Sequence, residues 1–200
     1  MSSKQQLICI TGADGTGKTT VVKAIAEKYP DAYVAGIWDL LDDQQGVLFR
    51  SKRDIDGYLC GLTPDSRLLF LAHAMKYSTE KAVRSGAGII LLNAYWYKYF
   101  ATESALGANF GLVKSLAESF PTPGKVIRLT LPVRIAAQRK EHYSMYECGA
   151  TGLNAVSDFI RFQDSVTPYW QKFENKNWIS IDASQPVEAV VRQTLEALQL

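Results

Sequence analysis

A glycine-rich segment near the N-terminus carries the residues best suited to chemistry. Its glycines are followed by Lys18 and Thr19. Glycines let main-chain N–H groups point inward at an anion. In this pattern the lysine reaches the β- and γ-phosphates of a nucleoside triphosphate, and the threonine hydroxyl binds Mg²⁺. The segment therefore predicts a phosphate-binding loop, with nucleotide-binding residues Gly12, Ala13, Gly15, Thr16, Gly17, Lys18, Thr19 and Thr20.

The elements on either side of this loop are those that the motif requires. Residues 7–11 predict a buried strand, and residues 19–29 predict a helix that Pro30 ends. The helix would add the positive end of its dipole to the phosphate site. The sequence has neither a guanine-reading Asn-Lys-x-Asp motif nor an Asp-x-x-Gly motif after a strand. These absences favour an ATP-dependent small-molecule kinase over a GTPase.

The rest of the chain alternates strand-like runs with helical patterns. Strands are predicted at 33–38, 89–92, 125–131 and 178–181, and helices at 63–84, within 106–120, at 132–140, 155–173 and 186–198. Residues 39–61 predict a loop with short helical pieces, and Pro168 is expected to kink or interrupt its helix. This alternation predicts a single α/β domain over 1–200, with a parallel sheet covered on both faces.

Composition and charge argue against several classes of protein. The chain has 200 residues, a net charge of +2 and scattered basic residues, which gives no indication of binding to nucleic acid or membrane. Its apolar runs are too short to span a bilayer. The three cysteines share no metal-like spacing, and the N-terminus is polar. We therefore expect reduced thiols in a cytoplasmic protein.

Stretches spread over most of the chain resemble one family. They are the loop with Asp14 before its second glycine, residues 68–72 around Phe70, residues 129–140, and the C-terminal stretches 158–169 and 181–183. Together they resemble the thymidylate kinase family of P-loop nucleotide kinases. The resemblance implies a three-layer P-loop kinase fold with a five-stranded parallel sheet in the order 2-3-1-4-5. It also implies a lid at about 134–153, the cofactors ATP and Mg²⁺, phosphorylation of thymidine monophosphate, and a homodimer.

The chain departs from the family where the phosphate acceptor would bind. The family's Asp-Arg-Tyr after the third strand is replaced by Asn93-Ala94-Tyr95. Residues 73–76 contain no arginine to read the thymine base, and residues 36–40 replace the family's Arg-Glu-Pro-Gly segment. An arginine aimed at a transferring phosphate can contribute several powers of ten in rate, so weak thymidylate activity is expected.

Two alternative functions follow from these departures. The first is a kinase for a different small acceptor, such as a nucleoside. The second is a protein of another class, which binds a nucleotide but has a degenerate acceptor site and acts as a sensor or partner.

The candidate site residues follow from the loop, the strand ends and the resemblance. The candidate catalytic residues are Asp14, Lys18 and Arg139, and Thr19 is the candidate metal ligand. Asp14 could orient the attacking oxygen, and Lys98 could supply some of the positive charge that Ala94 lacks. The residues predicted to contact the acceptor are Asp14, Asp39, Phe70, Asn93, Tyr95 and Lys98.

Overall fold

The computed structural model of the chain describes residues 5–40, 49, 51–152 and 154–200, apart from the side chain of Lys52. Its strands are β1 (Gln6–Gly12), β2 (Tyr33–Ala35), β3 (Ile89–Asn93), β4 (Lys125–Thr130) and β5 (Trp178–Asp182). They form a sheet in the order β2-β3-β1-β4-β5, and every neighbouring pair is parallel. The predicted fold class and strand order are therefore confirmed.

Helices cover both faces of this sheet. They are α1 (Lys18–Lys28), α2 (Lys52–Gly61), α3 (Pro64–Arg84), α4 (Tyr95–Ala105), α5 (Phe110–Glu118), α6 (Val133–Gln138), α7 (Val156–Trp170) and α8 (Val187–Leu198), with a 3₁₀ turn at Tyr146–Cys148. Successive strand residues point to opposite faces. Ile8 and Ile10 accordingly pack in the cluster that includes α1 and α8, whereas Cys9 packs in the cluster that includes α3 and α4.

The helix predicted from residue 63 begins and ends as expected. The Thr63 hydroxyl accepts a hydrogen bond from the Ser66 N–H over 3.3 Å, and Pro64 occupies the first turn. Helix α3 ends at Arg84, and Gly86 follows with a φ of 76°. Glycine adopts this left-handed angle at little cost, so the sequence marks both ends of α3.

Strand β2 and helices α6 and α7 differ from the sequence expectation. Strand β2 ends at Ala35 instead of residue 38, because the backbone turns at Gly36 and the Asp39 carboxylate accepts the Gly36 N–H over 3.3 Å. Helix α6 ends at Gln138, so the two basic residues that follow lie beyond it. Helix α7 is not interrupted at Pro168, because its buried side chains, which include Val166 and Trp170, pack on both sides of the proline; the predicted kink stays a prediction.

Helix α4 was not predicted as a helix. Its first eight residues include a run of large aromatic side chains, and almost every residue along it is buried. A helix buried on all sides has no polar face and therefore no 3.6-residue hydrophobic period. The sequence analysis assigned no element to this run and expected Tyr95 and Lys98 to contact the acceptor.

Residues 39–61 were predicted to form a loop with short helical pieces. Helix α2 occupies 52–61, and the Ser51 hydroxyl caps it by accepting the Asp54 N–H over 3.2 Å. Residues 41–48 and 50 lie outside the described part of the chain. Among the described residues, no helix is long and apolar enough to cross a membrane.

Candidate active site

A cavity of about 410 Å³ opens beside the glycine-rich loop, at the carboxyl ends of β1 and β3. Loop residues between Asp14 and Thr20 line one side of it, and Phe70, Leu71 and Ala74 of α3 line another. Ligands of open α/β sheets bind at this edge, and a cavity of this volume accommodates a small organic ligand.

The glycine-rich loop is organised around one of its own carbonyl groups. Lys18 Nζ and Thr16 Oγ1 both donate to the Ala13 carbonyl oxygen, over 2.7 and 2.9 Å. Gly12 has a φ of 141°, and a Cβ at this position would lie 2.4 Å from the Leu129 carbonyl oxygen. Only glycine therefore fits at position 12. When a phosphate binds, Lys18 would donate to its oxygens in place of the Ala13 carbonyl.

Burial and neighbouring charges set the protonation of Lys18. Burial lowers its pKa to about 8; the Asp14 carboxylate opposes this shift, and the Lys98 ammonium adds to it. The free loop therefore carries a lysine that is protonated at neutral pH and begins to titrate just above it. The negative charge of a bound phosphate would favour the protonated form.

We expect nucleotide affinity to fall as the pH rises above about 8, the pKa of Lys18 in the free protein. Bound triphosphate raises the pKa of Lys18. At a pH where the free protein has lost the Lys18 proton, nucleotide binding must therefore be accompanied by the uptake of a proton. The dissociation constant of a non-hydrolysable ATP analogue should then rise by about tenfold per pH unit. Calorimetry near pH 9 (about one unit above that pKa) in two buffers of different ionisation enthalpy should show proton uptake. A dissociation constant that does not change with pH, without proton uptake, would contradict this expectation.

An ion pair joins the loop to α4. Lys98 Nζ lies 2.7 Å from Asp14 Oδ1, and the two side chains are 12% and 11% exposed. Burial acts to raise the pKa of Asp14, but the charges of Lys98 and Lys18 outweigh it and hold this pKa below its usual value. Burial acts against the charge of Lys98, and Asp14 outweighs it, so the pKa of Lys98 is raised. Both groups are therefore charged at neutral pH.

Asn93, the last residue of β3, reaches the first turn of α1. Its Nδ2 donates to Thr19 Oγ1 over 3.3 Å, and Thr19 is exposed and lines the cavity. Within the described residues, no group of three or more His, Cys, Asp or Glu side chains could hold a metal ion. An exposed hydroxyl with few protein ligands nearby fits Mg²⁺, which in nucleotide sites is held largely by phosphates and water.

Ala94 has a backbone conformation that alanine rarely adopts. Its φ is 70°, and that of Tyr95 is 55°. The Ala94 N–H donates to the Ile10 carbonyl over 2.9 Å, and its own carbonyl accepts from Thr11 Oγ1 over 2.8 Å. Such conformations cost about 1–3 kcal/mol and cluster at functional sites. These bonds to β1 hold residue 94 at the cavity wall, although its side chain is only a methyl group.

Phe70 lies in the apolar part of the cavity. Its ring packs edge-on against those of Phe49 and Tyr58, with centroids 5.9 and 5.5 Å away. Ala74, one turn further along α3, also lines the cavity and offers no side-chain hydrogen bond. A planar base could pack against Phe70, and its predicted contact with the acceptor stays a prediction.

The segment after α6 closes another side of the cavity. Lys140 Nζ lies 3.0 Å from Glu147 Oε1, and both residues line the cavity. The Asp56 carboxylate accepts the backbone N–H groups of Met145 and Tyr146 over 2.9 and 3.0 Å, which fixes this segment against α2. Sequence reasoning missed Asp56 and Glu147 because neither belongs to a motif.

The predicted catalytic and acceptor-binding residues divide into two groups. Five line the cavity, namely Asp14, Lys18, Phe70, Asn93 and Lys98. Three do not: Arg139 is exposed just beyond α6, Asp39 bonds to its own turn, and Tyr95 is fully buried and donates its hydroxyl to the Pro121 carbonyl over 2.8 Å. The structure does not bring these three side chains to the cavity, and their roles stay predictions.

A buried ion pair lies behind the cavity-lining residue Tyr146. Arg67 Nε donates to both carboxylate oxygens of Glu103 over 2.9 Å, and the side chains are 3% and 0% exposed. Arg67 Nη1 also donates to the Leu59 carbonyl over 2.8 Å, and the hydroxyl of Tyr146 donates to Glu103 Oε1 over 2.8 Å. This cluster ties α2, α3 and α4 to Tyr146, which lines the cavity. No sequence motif indicated it.

Comparisons with known proteins show which family the sequence resembles. The family model described as thymidylate kinase matches residues 10–194. The probable thymidylate kinase 1 of Saccharolobus solfataricus is 25% identical over 199 residues, covering 98% of this chain and 97% of the relative. The probable thymidylate kinase of Archaeoglobus fulgidus is 27% identical over 201 residues, covering 96% and 95%.

A solved structure shares the fold. The thymidylate kinase of Candida albicans superposes with a TM-score of 0.70 at 17% identity, covering 100% of this chain and 93% of that one. At this identity the likeness supports the P-loop kinase fold alone.

Proposed function

The chain belongs to the thymidylate kinase family, and from this premise we propose that it transfers the γ-phosphoryl group of ATP to thymidine monophosphate, forming ADP and dTDP. The observation that supports the proposal best is that a single cavity is lined both by Lys18 of the glycine-rich loop and by Phe70 of α3. Such an enzyme needs to hold its two substrates in line and neutralise the charge on the transferring group.

The glycine-rich loop would hold the donor. Its backbone N–H groups and the N-terminus of α1 face the phosphates, and Lys18 neutralises the transferring group. Thr19, whose hydroxyl accepts a hydrogen bond from Asn93 Nδ2, would hold Mg²⁺ together with phosphate and water oxygens, and the ion would supply further positive charge. Lys140 is the basic lid residue that lines the cavity, whereas Arg139 remains a predicted phosphate ligand.

A thymidylate acceptor changes the role expected for Asp14. The attacking atom is a phosphate oxygen, and a phosphate monoester loses its second proton at a pKa of about 6. The acceptor is therefore already ionised at neutral pH and needs no general base. Asp14, a carboxylate held 2.7 Å from Lys98, fits a positioning role better than proton transfer.

Several finer expectations remain part of this proposal. They are a single kinase domain over 1–200 with a lid at about 134–153, the use of ATP and Mg²⁺, a homodimer and a cytoplasmic location. The family match does not favour the two alternatives raised by the sequence, another small acceptor or a degenerate acceptor site. The expectation of weak thymidylate activity stays a prediction.

An acceptor panel tests the proposed function. ADP release from ATP and Mg²⁺ is measured with thymidine, with thymidine monophosphate, and with the other common nucleoside monophosphates. We expect thymidine monophosphate to stimulate ADP release well above ATP hydrolysis alone and to be the best acceptor. Equal ADP release with and without every acceptor would overturn the proposal.

A further inference from the structure

Lys98 lines the cavity, with its ammonium beside the glycine-rich loop. Ala94 immediately precedes α4, and Lys98 lies in the first turn of that helix. Both line the cavity, and Ala94 carries no charge. The Lys98 stem is long enough to bring its ammonium to the loop, where it meets Asp14 at 2.7 Å.

The other cations that line the cavity belong to the donor loop or to the lid segment, whereas Lys98 belongs to α4. Among the described residues these are Lys18, which bonds to the Ala13 carbonyl within the donor loop, and Lys140, which pairs with Glu147 in the lid segment. Lys98 approaches from α4 on the acceptor side. An ammonium group has three donors, so it can retain Asp14 while binding phosphate oxygens.

We infer that Lys98 binds the phosphate of the acceptor, with Asp14 as the positioning residue that aims its ammonium. This inference rests on the proposed function, in which the acceptor is a nucleoside monophosphate. It makes Lys98 the residue that distinguishes a monophosphate from the corresponding nucleoside. The charge that is absent at residue 94, just after β3, is supplied four residues later, as a point charge without the two-pronged geometry of a guanidinium.

The test removes the charge from the protein and the phosphate from the ligand separately. Dissociation constants of thymidine monophosphate and thymidine are measured by calorimetry for the wild-type protein and for Lys98→Met. A hydrogen-bonded charge pair is worth roughly 10- to 100-fold in affinity. We expect wild-type protein to prefer the monophosphate by about that factor, and Lys98→Met to bind the two ligands within about threefold of each other.

Further variants separate binding from folding. Lys98→Arg should keep most of the preference, because it keeps the charge. Lys23→Met, an exposed lysine on α1, should leave both dissociation constants unchanged. If Lys98→Met fails to fold because Asp14 loses its partner, the double variant Asp14→Asn/Lys98→Met removes both charges and takes its place in the measurement.

Two results would overturn the inference. One is a Lys98→Met protein that weakens binding of both ligands by the same factor, which indicates a structural role. The other is a wild-type protein without preference for the monophosphate. The acceptor panel is interpreted separately. If thymidine monophosphate is turned over but Lys98→Met does not change the preference for the monophosphate, only the inference is wrong. If that preference depends on Lys98 but thymidine monophosphate is not turned over, only the proposed function is wrong.

Discussion

Replacing Lys18 with methionine is expected to lower kcat by about 1,000-fold while the protein stays folded. The ammonium stabilises charge on the transferring phosphoryl group, and methionine keeps the length of the side chain without the charge. Steady-state ADP release with saturating ATP and thymidine monophosphate gives kcat. A variant that keeps more than about a tenth of wild-type kcat would contradict the assignment of Lys18.

The stability of the same variant provides a second readout. The pKa of Lys18 is lowered to about 8 in the folded protein, below the value expected for the unfolded chain. The folded state therefore binds the Lys18 proton less tightly than the unfolded state does, so below pH 8 the charge of Lys18 lowers the stability of the fold. This destabilisation decreases as the pH rises from 8 towards the pKa of lysine in the unfolded chain. Lys18→Met should unfold no more easily than wild type at neutral pH. Lys23→Met, exposed on the same helix, should change neither kcat nor stability.

Replacing Arg67 with methionine is expected to lower the free energy of unfolding by about 3–5 kcal/mol. The change leaves the Glu103 carboxylate fully buried, and among the described residues the Tyr146 hydroxyl, at 2.8 Å, is the one side chain that still donates to it. It also leaves the Leu59 carbonyl without its arginine donor. Urea denaturation at neutral pH measures the loss. Arg84→Met on the same helix is the matched control, because its ion pair with Glu80 is exposed and should contribute little.

The pH dependence of the stability of Arg67→Met tests whether the unpaired charge of Glu103 causes the loss. Burial raises the pKa of Glu103 even in the wild-type protein, and Arg67 and Tyr146 oppose that shift. Without Arg67 this pKa rises further, so the folded state binds the Glu103 proton more tightly than the unfolded state does. The variant should regain stability as the pH falls from neutral towards the pKa of Glu103. A deficit that is independent of pH would show that lost packing, not the buried charge, is responsible.

Local signals predicted the strand, loop and helix around the glycines well. The glycines at 12, 15 and 17, the strand before them and the helix after them are short-range features, and the structure has all of them. Helix α3 was equally predictable, because Thr63 and Pro64 mark its start and Gly86 follows its end. In each case the residues that determine the structure lie within one element.

The rest of the site depends on contacts between residues that are far apart in sequence. Lys98 meets Asp14, and Arg67 meets Glu103, only after α4 has packed against α3 and the loop. Helix α4 itself has no amphipathic period because it is buried on all sides, so its register could not be read. For that reason Tyr95 was expected at the acceptor, whereas the structure places it in the core.

The transfer of labelled phosphate tests the central claim most directly. ATP labelled at its γ-phosphate is incubated with Mg²⁺ and thymidine monophosphate, and the products of the wild-type protein and of Lys18→Met are separated. We predict that wild-type protein places the label in dTDP in proportion to the ADP formed, and that the variant forms almost none. Label found only in inorganic phosphate, or left in ATP under conditions where the nucleotides bind, would contradict the account.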